Sequence, residues 1–212
     1  MVSIKNILYI YGYGSSPNSN TYNWLKDNLY DKNVVCYWYN QHNPEEAILE
    51  LTNIVNDNDI DLIIGSSLGG WFSMHVAVKT SKPCILINPL TDKYLKKVLF
   101  DVSNGDVTLV NAYIKYQELH PLFKTNENSL ELWDNFENGN QTIAIVGDHD
   151  EVIVQDKEYD VNNYVYRTLI VGNGKHQLTD GEKKKYVNLA LGDLLNQLNR
   201  FNQFLYKSEI IP

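Results

Sequence analysis

The stretch at residues 62–70, Leu-Ile-Ile-Gly-Ser-Ser-Leu-Gly-Gly, decides the fold of this 212-residue chain. Its first three residues form an apolar run typical of a buried strand, and a helical pattern follows over residues 71–79. Between them, Gly65, Ser67 and Gly69 have the spacing G-x-S-x-G. This spacing between a strand and a helix is the context of a nucleophile elbow, a strained turn that exposes a serine hydroxyl. We therefore predict that Ser67 is a nucleophile, with a glycine-rich turn without chemistry as the alternative.

Apolar, strand-like runs alternate with helical patterns along most of the chain. A helix is predicted from Pro44, capped by Asn43, and another near the C terminus, capped by Thr179 or Asp180. Near-continuous apolar runs are typical of strands covered on both faces. We expect an α/β fold with a mostly parallel sheet and helices on both of its faces. The predicted strands are residues 7–11, 34–39, 62–65, 84–88, 142–146 and 166–171.

Residues 91–140 interrupt this alternation, because they contain helical patches and no convincing strand. We predict a small helical insertion there that lies over the site as a lid. An ordinary pair of crossover helices is the alternative, since connections in compact domains are usually short. The whole chain, residues 1–212, is expected to form a single domain.

Composition excludes several classes of partner. The formal net charge of -8 and the presence of only two arginines, Arg167 and Arg200, argue against nucleic acids and anionic membranes. The sequence contains no run of about 18 apolar residues, so no membrane span is predicted. Cys36 and Cys84 lie in strand-like runs and are expected to be free thiols, and residues 1–11 are typical of a strand, not a signal peptide. A cytoplasmic location is therefore expected, and the oligomeric state stays open.

Two further loops supply the partners that a nucleophilic serine needs. A serine near neutral pH requires a base, and the base requires an acid that orients it. After the fifth predicted strand comes Gly-Asp-His-Asp-Glu-Val at 147–152, and after the sixth comes Gly-Asn-Gly-Lys-His at 172–176. We predict His176 as the base. In α/β proteins whose nucleophile sits in such an elbow, the serine, the acid and the histidine follow one another in this order along the chain. Asp150 is the predicted acid, a few residues past the strand end, with Asp148 as the runner-up.

The remaining parts of the predicted site are backbone amides and a pocket. An oxyanion in the reaction needs two N–H donors, one directly after the nucleophile and one from the loop after an early strand. These are predicted to be the amides of Leu68 and Tyr13. Tyr11 and Trp71 are candidates for lining an apolar acyl pocket. No metal or cofactor is predicted, because the sequence has neither an H-E-x-x-H motif nor a paired-cysteine motif.

Five segments resemble one known family: ILYIYGYGSSPNS, DLIIGSSLGGWFS, ILINPL, VGDHDEVI and GNGKHQL. They are similar to the YqiA/YcfP-like small esterases of the α/β-hydrolase superfamily. The resemblance implies an esterase for acyl esters or thioesters, with Ser67, Asp150 and His176 as its triad. The Asp-Glu-Val stretch of that family matches residues 150–152, which favours Asp150 as the acid. Where the family usually has His-Gly after its first strand, this chain has Tyr11 and Gly12, which implies a retuned oxyanion hole.

The predicted function is therefore hydrolysis of a small or medium acyl ester or thioester through an acyl-enzyme. The same machinery serves thioesterases, acyltransferases and peptidases, and the sequence does not separate them. The alternative from another class is a catalytically silent member of the fold that acts as a binding or regulatory module. The predicted partner is a small-molecule ester.

Overall fold

The centre of the molecule is a six-stranded sheet in which every described pairing is parallel. The computed structural model describes residues 3–122, 141–153, 160–163 and 165–208. The strands are β1 (Asn6–Ile10), β2 (Asn33–Val35), β3 (Leu62–Ser66), β4 (Cys84–Ile87), β5 (Thr142–Gly147) and β6 (Arg167–Val171). Their order across the sheet is β2-β1-β3-β4-β5-β6.

Helices connect these strands and cover both faces of the sheet. The helices are α1 (Asn20–Asn28), α2 (Pro44–Asp57), α3 (Leu68–Thr80), α4 (Asp92–Val102), α5 (Val107–Leu119) and α6 (Asp180–Ser208). Right-handed crossovers place α1 on one face and α2 and α3 on the other, because the strand order reverses direction at β1. In agreement, α2 packs against α3, whereas Lys183 of α6 lies over the ring of Trp24 in α1.

The helix caps follow from local hydrogen bonding. Asn43 accepts a hydrogen bond from the Glu46 amide, as its position before Pro44 predicts. At α6, the Thr179 hydroxyl accepts from the Glu182 amide while the Glu182 carboxylate accepts from the Thr179 amide. This reciprocal capping box starts the helix and identifies Thr179, not Asp180, as the cap.

Three of the four inner strands, β3, β4 and β5, are buried almost throughout. Their apolar residues face helices on both sides, as near-continuous apolar runs predict for a parallel sheet. Five predicted strands match the observed ones to within one residue at each end. The sequence-based expectation of an α/β fold is thereby confirmed.

The second strand is shorter than predicted. It ends at Val35, whereas the apolar pattern extends to residue 39. After Val35 the chain passes over the carboxyl end of β1, where the rings of Tyr39 and Tyr11 lie 4.8 Å apart. The side chain of Gln41 then bonds to Gly12 in the loop after β1. The apolar residues beyond Val35 therefore pack against another loop instead of extending the sheet.

The predicted insertion at 91–140 is helical where it is described. It contains α4 and α5, which pack against each other, and α5 also contacts α2. Residues 123–140 lie outside the described part of the chain. The lid and the single domain of residues 1–212 therefore stay predictions. Among the described residues, the structure contains no helix with the length and apolarity needed to cross a membrane.

The sheet order fixes where a site can form. Because β1 lies between β2 and β3, the loops after β1 and β3 leave the sheet toward opposite faces and open a crevice between them. Ligand sites of open α/β sheets lie in such a crevice, at the carboxyl ends of the strands.

Candidate active site

The turn from β3 into α3 has the geometry of a nucleophile elbow. Ser67 has φ 53° and ψ -124°, a backbone conformation that is costly for a residue with a side chain. A Cβ on Gly65 would lie 2.0 Å from Ser73 Oγ, and a Cβ on Gly69 would lie 2.1 Å from the carbonyl oxygen of Ile10. Neither position can hold a larger residue without displacing its surroundings. The two glycines therefore allow the close approach that supports the strained serine.

The structure brings the three predicted triad residues into contact. His176 Nε2 lies 3.1 Å from Ser67 Oγ, and His176 Nδ1 lies 2.8 Å from Asp150 Oδ2. The Asp150 side chain is 2% exposed and that of His176 15% exposed. A nucleophile, a base and an orienting carboxylate within hydrogen-bond reach are the arrangement that activates a serine hydroxyl.

The structure also distinguishes between the two candidate acids. Asp150 Oδ1 accepts hydrogen bonds from the amides of Val152 and Ile153, which hold the carboxylate toward the histidine. Asp148 is exposed and bonds instead to the ring of His149, and this hydrogen bond lowers the pKa of Asp148. Of these two acids, only Asp150 contacts the ring of the predicted base.

Asn88, at the end of β4, fixes the loop that carries His176. Its Nδ2 donates to the carbonyls of Lys175 and His176 at 2.9 and 2.8 Å, and its Oδ1 accepts from the Gly147 amide at 2.7 Å. On the outer side, the Glu151 carboxylate accepts from the His176 amide. Sequence reasoning missed Asn88, although a lone amide at the end of an apolar strand is a recognisable signal.

The residues of the two predicted oxyanion donors, Leu68 and Tyr13, lie near Ser67. Leu68 is the first residue of α3, so its N–H has no acceptor within the helix and belongs to the positive end of the helix dipole. Across the crevice, a Cβ on Gly12 would lie 3.0 Å from Ser67 Cβ, so the loop after β1 touches the serine. Tyr13 follows in this loop and lines the cavity in front of Ser67.

The cavity has a volume of about 500 Å³ and includes Ser67 and His176 in its lining. Two groups of side chains with different chemistry form most of it. The apolar group comes largely from α4 and the ends of neighbouring strands: Leu90, Val98, Leu99, Val102, Val152 and Leu178. The polar group comes largely from the start of α1 and the loop before it: Ser15, Asn18, Ser19, Asn20, Thr21 and Ser66.

Tyr11 and Trp71, the predicted pocket residues, are absent from this lining. Tyr11 is 1% exposed, because β1 ends at Ile10 and the ring turns toward Tyr39. Trp71 is fully buried on the face of α3 that meets α5, with its ring 5.1 Å from that of Tyr113. The structure thus corrects this prediction, and both aromatic residues belong to the core.

A parallel sheet of this order, with an elbow after β3 and the histidine after the last strand, defines the α/β-hydrolase fold. Within that class, the chain belongs to the family described as Uncharacterised protein family (UPF0227), whose model matches residues 6–190. This match confirms the resemblance to YqiA/YcfP-like proteins. No curated protein matches the sequence.

Solved structures show the same fold at low sequence identity. Est1E from Butyrivibrio proteoclasticus, with ferulic acid bound, has a TM-score of 0.61 and 11% identity over 93% of this chain and 90% of its own. Mouse alpha/beta hydrolase domain-containing protein 10 has a TM-score of 0.62 and 14% identity over 93% and 92%. A putative lipase from Acinetobacter baumannii AYE has a TM-score of 0.63 and 15% identity over 91% and 85%. At these identities the similarity establishes the fold alone.

Proposed function

We propose that this protein is a serine hydrolase that cleaves a small or medium acyl ester or thioester. The observation that carries the proposal is the continuous line of contacts from Ser67 Oγ through His176 to Asp150. The strained elbow and the adjacent cavity support it, because a buried structural serine needs neither.

In the first half of the proposed reaction, Ser67 Oγ attacks the carbonyl carbon of the ester while His176 Nε2 accepts the hydroxyl proton. The Asp150 carboxylate stabilises the resulting imidazolium and holds its orientation. The carbonyl oxygen becomes an oxyanion that accepts hydrogen bonds from the amides of Leu68 and Tyr13. When the tetrahedral intermediate collapses, the alcohol or thiol leaves with the proton from His176, and the acyl group stays on Ser67.

In the second half, water replaces the alcohol. His176 Nε2 accepts a proton from the water as its oxygen attacks the acyl carbon, and the same two amides stabilise the second oxyanion. Collapse of this intermediate returns the proton from His176 to Ser67 Oγ and releases the carboxylic acid. The triad is then restored for another turnover.

The cavity supports the proposed substrate size. Its volume of about 500 Å³ lies in the range of small-molecule sites. Val98, Leu99 and Val102 present an apolar surface of α4 that suits a hydrocarbon acyl chain. Substitution of Val102 by tryptophan is expected to shift the preferred chain length of p-nitrophenyl esters to shorter acyl groups. An unchanged preference would place the acyl chain elsewhere.

The central test is covalent labelling with a fluorophosphonate, followed by intact-mass analysis. The wild type is expected to gain one adduct, and Ser67→Ala to gain none, because the probe reacts only with an activated serine. Ser16→Ala is the matched control, since Ser16 is exposed and lies outside the cavity lining. An unlabelled, folded wild type would refute the proposal and favour the silent binding module.

A further inference from the structure

The side chain of Gln41 brackets the residue proposed as the second oxyanion donor. Its Nε2 donates to the carbonyl oxygen of Gly12 at 2.8 Å, and its Oε1 accepts from the amide of Gly14 at 3.0 Å. Tyr13 lies between these two contacts. Gln41 is 9% exposed, so both hydrogen bonds are largely shielded from water.

Planarity of the peptide links the first of these contacts to the proposed chemistry. The carbonyl of Gly12 and the N–H of Tyr13 belong to the same peptide unit, and in a trans peptide they point in opposite directions. A donor that fixes the carbonyl therefore fixes the direction of the N–H. The amide of Ser15 also donates to this carbonyl, at 3.2 Å, and strengthens the anchor.

The positions of the neighbouring residues give that direction. Gly12, Tyr13 and Ser67 line the cavity, whereas Gln41 does not. A Cβ on Gly12 would lie 3.5 Å from Ser67 Oγ, so this peptide adjoins the reacting oxygen. Because the carbonyl bonds to Gln41, which does not line the cavity, the Tyr13 N–H is expected to point away from Gln41 and toward Ser67.

Gln41 is itself held in a single orientation. Its Nε2 also donates to the Tyr39 hydroxyl, and the Tyr113 hydroxyl donates to its backbone carbonyl. If the side-chain nitrogen and oxygen of Gln41 exchanged places, its NH₂ group would face the N–H of Gly14, which is also a donor. Its oxygen would then face the carbonyl oxygen of Gly12, which is also an acceptor. The network therefore defines which end of the amide faces each partner.

We propose that Gln41 is a positioning residue of the oxyanion hole, which holds the Gly12–Tyr13 peptide with its N–H directed at the oxyanion. This inference rests on the proposed function of Ser67. A hydrogen bond to the carbonyl also polarises the peptide and makes its N–H a stronger donor. Gln41 acts only through the backbone of the loop and touches no reacting atom.

Kinetics of Gln41→Met test the inference, since methionine keeps the length of the side chain and removes both polar atoms. We expect kcat for a p-nitrophenyl ester to fall roughly 10- to 100-fold, less than the loss on deleting an oxyanion donor, because the amide itself remains. KM is expected to stay within about twofold, since the donor acts mainly on the transition state. If Gln41 had a purely structural role, the substitution would lower the melting temperature but would not lower kcat while leaving KM nearly unchanged.

A trifluoromethyl ketone gives a second readout, because its adduct with Ser67 carries a tetrahedral oxyanion. Its inhibition constant is expected to rise in Gln41→Met by the same factor by which kcat/KM falls. Gln41→Glu should show the same loss, because it keeps the acceptor for Gly14 but lacks the donor for Gly12. Asn43→Asp is the control for added charge, since aspartate caps α2 as well as asparagine does.

Folded Gln41→Met with wild-type kcat, or with a change in KM alone, would overturn the inference while the proposed function stands. The same holds if inhibition by the trifluoromethyl ketone is unchanged. A wild type that neither labels with fluorophosphonate nor hydrolyses esters would refute the proposed function, and this inference with it. The two failures are therefore distinguishable.

Discussion

Removal of the Asn88 side chain is expected to destabilise the fold and misplace His176 at the same time. Asn88 is 1% exposed and its amide makes three hydrogen bonds, to the carbonyls of Lys175 and His176 and to the amide of Gly147. In Asn88→Ala these three backbone groups lose their side-chain partner in a region that water does not reach freely. The Glu151 contact then remains as the anchor on the His176 amide.

The size of the effect follows from these contacts. Each buried group left without its partner costs about 1–3 kcal/mol, and we take the lower part of that range for the two carbonyls. Asn88 also has φ 43°, a left-handed conformation in which alanine is less favourable by about 1 kcal/mol. Together these terms predict a loss of about 4–6 kcal/mol, a large part of the roughly 5–15 kcal/mol by which proteins of this kind are stable.

Asn104→Ala is the matched control, because Asn104 has φ 56° but is exposed. It should lose only the conformational part, about 1 kcal/mol. Denaturant titration measures both variants, and the rate of fluorophosphonate labelling reports on the site. Labelling of Asn88→Ala is expected to slow by about 100-fold, the effect of a displacement near 1 Å in a catalytic group. Equal losses of stability in both variants, with wild-type labelling, would refute the reasoning.

Three further predictions concern the elbow, the acid and a buried histidine. Gly65→Ala should lower stability by about 3 kcal/mol or more because of its steric collision, while Gly172→Ala, with open space at its Cβ, should change the melting temperature little. Asp150→Asn should lower kcat about 10⁴-fold, whereas Asp148→Asn should stay near the wild type in the same ester assay. Burial lowers the pKa of His75 to about 3, so between that pH and 6.5 the folded state binds fewer protons than the unfolded state. The unfolding free energy of the wild type should therefore rise with pH across this window, and that of His75→Leu should rise less steeply. Denaturant titrations at several pH values measure both. The same dependence on pH in the two proteins would contradict this prediction.

The parts of the structure that the sequence predicts are those set by local pattern. Five strands follow from runs of apolar residues, and the elbow follows from the glycine spacing around Ser67. Asp150 and His176 could be proposed because each lies in a loop directly after a parallel strand. In a sheet of this kind, such loops converge at one edge whatever the detailed packing.

The parts that the sequence does not predict depend on contacts between distant residues. Asn88 bonds to residues 87 and 88 positions later, and Gln41 bonds to a carbonyl 29 positions earlier. No periodicity encodes such pairs. The places of Tyr11 and Trp71 next to motif residues predict that both line the pocket, but the direction of a side chain depends on where the strand ends and which helix packs beside it.

The order of the strands has a consequence for how the chain folds as the ribosome makes it. After β1 emerges, β2 joins one of its edges and β3 the other, and β4, β5 and β6 then each add to the outermost strand already present. No strand has to be inserted between two others, so the sheet can grow outward in the order of translation. The serine is present early, but His176 follows the final strand. The first strands can therefore pair on the nascent chain before the last residue of the proposed triad has been made, whereas core residues of α6 such as Val187 and Leu194 follow only afterwards.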